Sequence, residues 1–89
     1  MLNGRGGVRM KHKVKLLYIE GEEFSDECRS ILEDIVERCD DVELFVRDIR
    51  RHKGEGEYYG VKSVPTVVID GEVRFVGCPP AYVLENELL

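Results

Sequence analysis

Eleven residues near the C-terminal end, TVVIDGEVRFV, constrain the fold more than any other stretch of this chain. Asp70-Gly71 sits between two β-branched runs, and Asp-Gly in that setting is the strongest short-range signal for a two-residue hairpin, whose favoured turn needs positive φ at both central residues. Thr66–Ile69 and Glu72–Val76 are therefore expected to be antiparallel neighbours.

The upstream half has a different grammar. Residues 14–19, VKLLYI, form a β-branched and aromatic run ended by Glu20-Gly21-Glu22-Glu23, and predict a buried strand. From Ser25 the period changes. Cys28, Ile31, Leu32, Ile35, Val36 and Cys39 recur at three- and four-residue steps, so all six share one helical face. Ser25 is expected to cap this helix, with Asp26 and Glu27 near the positive end of its dipole. Residues 42–46, VELFV, predict a second strand. The polar stretch 47–60, with three glycines, has room only for a short helix ending near Tyr58-Tyr59. Pro79-Pro80 then opens a last helix through Tyr82, Val83 and Leu88, since proline is tolerated in a first helical turn. The order β-α-β-α-β-β-α, with a right-handed crossover making the first two strands parallel, predicts an α/β domain: a four-stranded mixed sheet with helices on both faces.

The first nine residues, MLNGRGGVR, carry three glycines and no apolar period, and a second methionine follows at Met10. Residues 1–12 are expected to be a flexible extension, with the domain covering residues 13–89. At 43% apolar and 35% charged residues, 89 residues read as one globular domain. A net charge of −5 argues against nucleic acid as the main partner. The longest apolar runs are a handful of residues and the N-terminus lacks a signal-peptide core, so no membrane partner and a cytoplasmic location are expected. Three cysteines, spaced 11 and 39 residues apart, fit neither paired zinc knuckles nor an even disulfide framework. No metal or other cofactor is expected.

Residues 59–66, YGVKSVPT, running on into VVIDGEVRFVGCPP, resemble the second half of thioredoxins and of small archaeal glutaredoxin-like proteins, a resemblance that extends over roughly residues 14–89. It implies a thioredoxin-like fold and a cis peptide bond before Pro65. It also implies a groove where Val64 offers its backbone to an extended substrate segment, in the manner of strand addition, with Phe24, Pro65 and Gly77 as further substrate-contacting residues. The implied chemistry is exchange with protein or small-molecule thiols and disulfides.

The same resemblance lays Phe24-Ser25-Asp26-Glu27-Cys28 over an aromatic-Cys-x-x-Cys segment. Ser25 then stands for the attacking cysteine and Cys28 for the resolving one, in a register that keeps Cys28 in phase with the core. A shift of two residues instead places Glu23 and Asp26 under the two cysteines and leaves no sulfur. Ile19 occupies the place of the family's buried acid. A serine hydroxyl cannot enter a disulfide, and Asp26 and Glu27 oppose thiolate formation at Cys28. The expected activity is therefore weak or atypical disulfide exchange through Cys28. The alternative is a non-catalytic module that holds a partner peptide in the cis-proline groove.

Cys78, directly after Gly77, is implied to lie towards Cys28 and to supply the missing sulfur, or else to pack under Pro79-Pro80. Cys39 continues the apolar stripe as a core residue. Arg50-Arg51-His52-Lys53 is either a solvated face or a contact for an anion such as glutathione.

Overall fold

In the computed structural model, which describes residues 11–89, strand β1 (His12–Tyr18) runs through the interior of the sheet with a neighbour on each side. It is followed by α1 (Glu23–Arg38), β2 (Val42–Asp48), α2 (Lys53–Tyr58), β3 (Thr66–Ile69), β4 (Glu72–Val76) and α3 (Ala81–Leu88). The sheet order is β2-β1-β3-β4, with β1 and β2 parallel and the other two pairs antiparallel. His12 belongs to the sheet, paired with Val42, so the first strand begins one residue inside the expected extension. Residues 1–10 of that extension lie outside the described residues.

Alternation along β1 divides the two faces of the sheet. Val14, Leu16 and Tyr18 point into one core with Cys28, Leu32 and Ile35 of α1 and Leu84 and Leu88 of α3. Lys15, between them, pairs with Glu55 of α2 on the opposite face. Helices therefore cover both faces, α1 and α3 on one and α2 on the other. Leu16, Leu32 and Leu84 are completely buried, and truncating any of them to alanine is expected to cost about 2–5 kcal/mol.

The hairpin turn has φ of 52° at Asp70 and 86° at Gly71, as its Asp-Gly sequence requires. The Asp70 carboxylate also reaches beyond the turn. It accepts a hydrogen bond from the Lys13 N–H at 2.9 Å and lies 2.8 Å from His12 Nδ1, while the Asp70 N–H donates to the Lys13 carbonyl at 2.8 Å. One side chain thus fastens the hairpin to the start of β1.

A second carboxylate holds the loop that leads into α1. Asp48, at the end of β2 and 8% exposed, accepts from the Glu20 N–H at 3.1 Å, the Arg50 N–H at 2.9 Å and the Arg50 guanidinium at 2.7 and 3.0 Å. The Arg50 guanidinium, then the Glu20 N–H, holds the Asp48 carboxyl far below the usual carboxylate range. A carboxyl lowered in the folded state stabilises fully above its unfolded value of about 4, and the contribution is lost as pH falls below that. Asp48→Asn should therefore lower the Tm at neutral pH and flatten the loss of Tm between about pH 4 and pH 2. Thermal unfolding of both proteins across that range checks it, and parallel acid profiles would show that the clamp is not formed.

Candidate functional site at the start of α1 and the cis-proline turn

The first turn of a helix leaves N–H groups without intrahelical partners, and whatever stands at the N-cap receives them. Here that residue is Glu22. Its backbone is extended (φ −83°, ψ 131°), and its carboxylate accepts from the Ser25 N–H at 2.8 Å and the Phe24 N–H at 3.2 Å. Ser25 hydroxyl and N–H, with the Phe24 N–H, lower the Glu22 carboxyl below its ordinary range. Asp26 returns the favour one residue outward, accepting from the Gly21 N–H at 3.2 Å.

Ser25, expected from sequence to be the cap, is instead the third residue of the helix and is completely buried. Its Oγ turns inward and accepts from the Ile19 N–H at 3.3 Å. The physical reason is reach: a glutamate three residues earlier can span to the same amide, which frees the serine hydroxyl to satisfy the end of β1. The helix consequently begins three residues before the expected start, with its cap at Glu22 in place of Ser25.

Cys28 follows one turn later. It is completely buried within the core. Burial, then the neighbouring Cys78 thiol, then the Glu27 charge push its pKa well above that of an ordinary thiol. Cys78 is half-buried and packs against the same core. Its pKa is also raised, by burial first, with Glu27 adding to the rise and Cys28 opposing it. Both cysteines pack in or against one core, although 50 residues separate them in sequence. Cys39, the remaining cysteine, is the C-cap of α1 and packs at the far end of the helix.

The Val64–Pro65 peptide bond is cis. Pro65 is completely buried, Val64 is partly exposed, and the sheet ladder starts only at Thr66. Thr66 Oγ1 donates to the Ser63 carbonyl at 2.8 Å, closing the turn from one side. From the other side the Gly77 N–H donates to the Pro65 carbonyl at 2.7 Å, with Gly77 at φ 96°, a backbone region that favours glycine. Phe24 on the first turn of α1, Val76 at the end of β4 and Tyr82 on α3 leave 57%, 69% and 65% of their surfaces exposed.

The structure thus joins Gly77 to Pro65 and packs Cys28 and Cys78 with one core, whereas Ser25 bonds to Ile19 and Glu22 rather than to either cysteine. Glu22 and Asp48 were not singled out by their chemistry in the sequence. A glutamate three residues before a small polar residue is the one available signal for Glu22. Asp48 has only its place at a strand end. The cationic run 50–53 does not act as a unit, since Arg50 is committed to Asp48 and His52 lies 3.8 Å from Glu55. A separate cleft of about 310 Å³, lined by Lys13, Lys15, Phe45, Arg47 and Tyr59, lies on the α2 face, and Glu55 pairs with both Lys15 and Arg47 there. Among the described residues no group of three His, Cys, Asp or Glu side chains is placed to hold a metal ion. No helix among them is long and apolar enough to cross a membrane.

Comparison with known proteins agrees with this geometry. Over 52 residues, 57% of this chain, the sequence is 33% identical to thioredoxin from Methanocaldococcus jannaschii, and the match spans 61% of that protein's length. Among solved structures, an asparagine-to-glutamine mutant of thioredoxin from Halobacterium salinarum superposes with a TM-score of 0.77 at 22% identity, covering 89% of this chain and 73% of the other. Oxidised mitochondrial thioredoxin 3 from Saccharomyces cerevisiae gives 0.74 at 18% identity, covering 90% and 78%. At such identities the superpositions establish the thioredoxin fold. Residues 18–88 match the family model described as the thioredoxin domain, which is most of the chain, and the protein belongs to that family.

Proposed function

We propose that this chain is a thioredoxin-type thiol protein with a degenerate site. It holds an extended protein segment beside Val64, Pro65 and Gly77, with Phe24 as an apolar contact, and exchanges disulfides only weakly, through Cys28. The observation that carries this reading is the carboxylate of the half-buried Glu22 at the N-cap of α1, with the next sulfur completely buried beyond it. An attacking thiolate is stabilised where the first free N–H groups of a helix converge. A Cys-x-x-Cys spacing that starts at an N-cap ends at the third helical residue, and in this chain those positions are Glu22 and Ser25. Ser25 is then a positioning residue that joins Glu22 to the end of β1. Cys28 lies a turn deeper, where its thiolate is scarce at neutral pH.

The substrates under this reading are protein or small-molecule thiols and disulfides, met in a reducing, cytoplasmic setting, and the acidic surface does not suit nucleic acid. The same Glu22 carboxylate favours a second reading, a non-catalytic module that keeps the cis-proline groove and no turnover. Insulin reduction with dithiothreitol as donor separates the two. The rate is expected to be at least about 100-fold below that of a dithiol thioredoxin, because the thiolate fraction at neutral pH falls about tenfold for each unit by which a thiol pKa rises. A comparable rate overturns the proposal, and peptide binding without any turnover establishes the module.

The position of the cap generates a further prediction. Glu22→Cys combined with Ser25→Cys places two sulfurs at the N-cap and the third helical residue, and is expected to raise insulin reduction at least about 10-fold over the unmodified chain. Ser25→Cys alone adds a buried sulfur with no exposed partner and is expected to leave the rate near its starting value. A full gain from the single substitution would put the reactive position at residue 25 instead.

A further inference from the structure

We infer that the cleft on the α2 face binds a small phosphate monoester carried on a flat ring, with the ring on the apolar floor and the phosphate against Lys13, Lys15 and Arg47. The site lies on the face of the sheet opposite the core that holds Cys28, and it does not rest on the function proposed above.

Strand register builds the floor. Lys15 on β1 stands opposite Phe45 of β2 on one side and Val68 of β3 on the other, so ring, alkyl stem and branched methyls form one row across three strands. Val68 is buried and Phe45 half-buried. Tyr59, the C-cap of α2, supplies a wall, and Gly71 in the hairpin turn leaves part of the rim without a side chain. The cleft holds about 310 Å³, at the lower end of the range that takes small ligands.

The cations are held before any ligand arrives. Glu55 pairs with Lys15 and, at 3.1 Å, with Arg47 Nε. The Lys15 ammonium stands 5.2 Å from the centre of the Tyr59 ring, and the Arg47 guanidinium 5.5 Å from that of Phe45. Lys13 differs. Its side chain lines the cleft, and its ammonium has no ion pair among the described residues. Glu43, its partner in the β1–β2 register, is exposed and makes none with it. Three cations against the one carboxylate that pairs there leave a surplus of two positive charges, on a chain whose net charge is −5. A phosphate monoester carries about 1.5 to 2 negative charges at neutral pH. Lysine and arginine donors suit its oxygens, and a ring on the same molecule covers Phe45 and Val68, which a bare anion leaves in water.

The test titrates the full chain, isotope-labelled, at low salt and neutral pH with naphthyl phosphate, and separately with inorganic phosphate and naphthol as its two halves. The expected result is saturable movement of the amide signals of residues 13, 15, 45, 47, 59 and 68, with an affinity for the ester at least about tenfold above that for either half. Lys13→Glu reverses the charge that no carboxylate holds, and is expected to weaken the ester at least about tenfold while moving the Tm by less than about 4 °C. Phe45→Ala is expected to lower the affinity for the ester to that for inorganic phosphate and to leave the latter unchanged. Equal affinity for inorganic phosphate in the unmodified chain reduces the cleft to a cationic patch and overturns the proposal. Equal affinity for naphthol, undiminished binding by Lys13→Glu, signal movement centred on Lys53 or Lys62 instead, or no saturation by about 10 mM ester does the same. A phosphotyrosine peptide that binds at least about tenfold tighter than the free ester assigns the cleft to a protein side chain, and overturns the small-molecule occupant.

Discussion

The unpaired N–H groups at the start of α1 must be met by something electron-rich, and in this chain the carboxylate of Glu22 meets them. Much of the site's character follows from that bond. A carboxylate satisfies the same amides and the same helix dipole that would otherwise lower the pKa of a thiol, so the helix loses no support by lacking sulfur there. It also allows Ser25 to face inward and take the Ile19 N–H, closing the end of β1. The chain between is held by the Asp48 bond to Glu20. Strand end, loop and helix start form one polar network, and its members are oxygen and nitrogen throughout.

The cis-proline side is built independently. Asp70 anchors the β3–β4 hairpin to β1, β3 leads back to Pro65, and β4 leads to Gly77, whose N–H returns to the Pro65 carbonyl. None of these bonds involves α1. The groove-forming turn is therefore fixed by the sheet, and a change at the helix start leaves it in place. The two halves meet in the core, where Cys28 from the helix is buried and Cys78 from the turn packs against it.

Legibility in the sequence follows the same division. The hairpin, the parallel β1–β2 pair and the apolar face of α1 rest on periodicity and on one turn dipeptide, which are local signals, and each of those elements is present within a few residues of its expected bounds. The helix start was less legible because Ser25 is a better cap by type than Glu22. The choice between them is made by tertiary demand, namely the Ile19 N–H that only an inward-facing hydroxyl at residue 25 meets. Asp48 was illegible for a similar reason, since its partners at Glu20 and Arg50 come from two separate loops. Cys28 and Cys78 lie 50 residues apart, and no periodicity connects them; only the family resemblance pointed from one to the other.

Burial and charge act in the same direction on both cysteines. Desolvation is the leading cause of the rise in each, and Glu27 adds to both. A thiol kept protonated is a poor nucleophile but a good core residue, because it packs as a small apolar group and leaves no buried charge. The fold therefore gains its stability from the reduced, neutral form of Cys28, and any chemistry at this sulfur works against that environment. A site built to react would place its sulfur at the helix end, where the amides favour the thiolate. This chain places a carboxylate there and keeps its sulfur where the neutral thiol is favoured, so the slow exchange of the proposed function and a stable core would be two consequences of one arrangement.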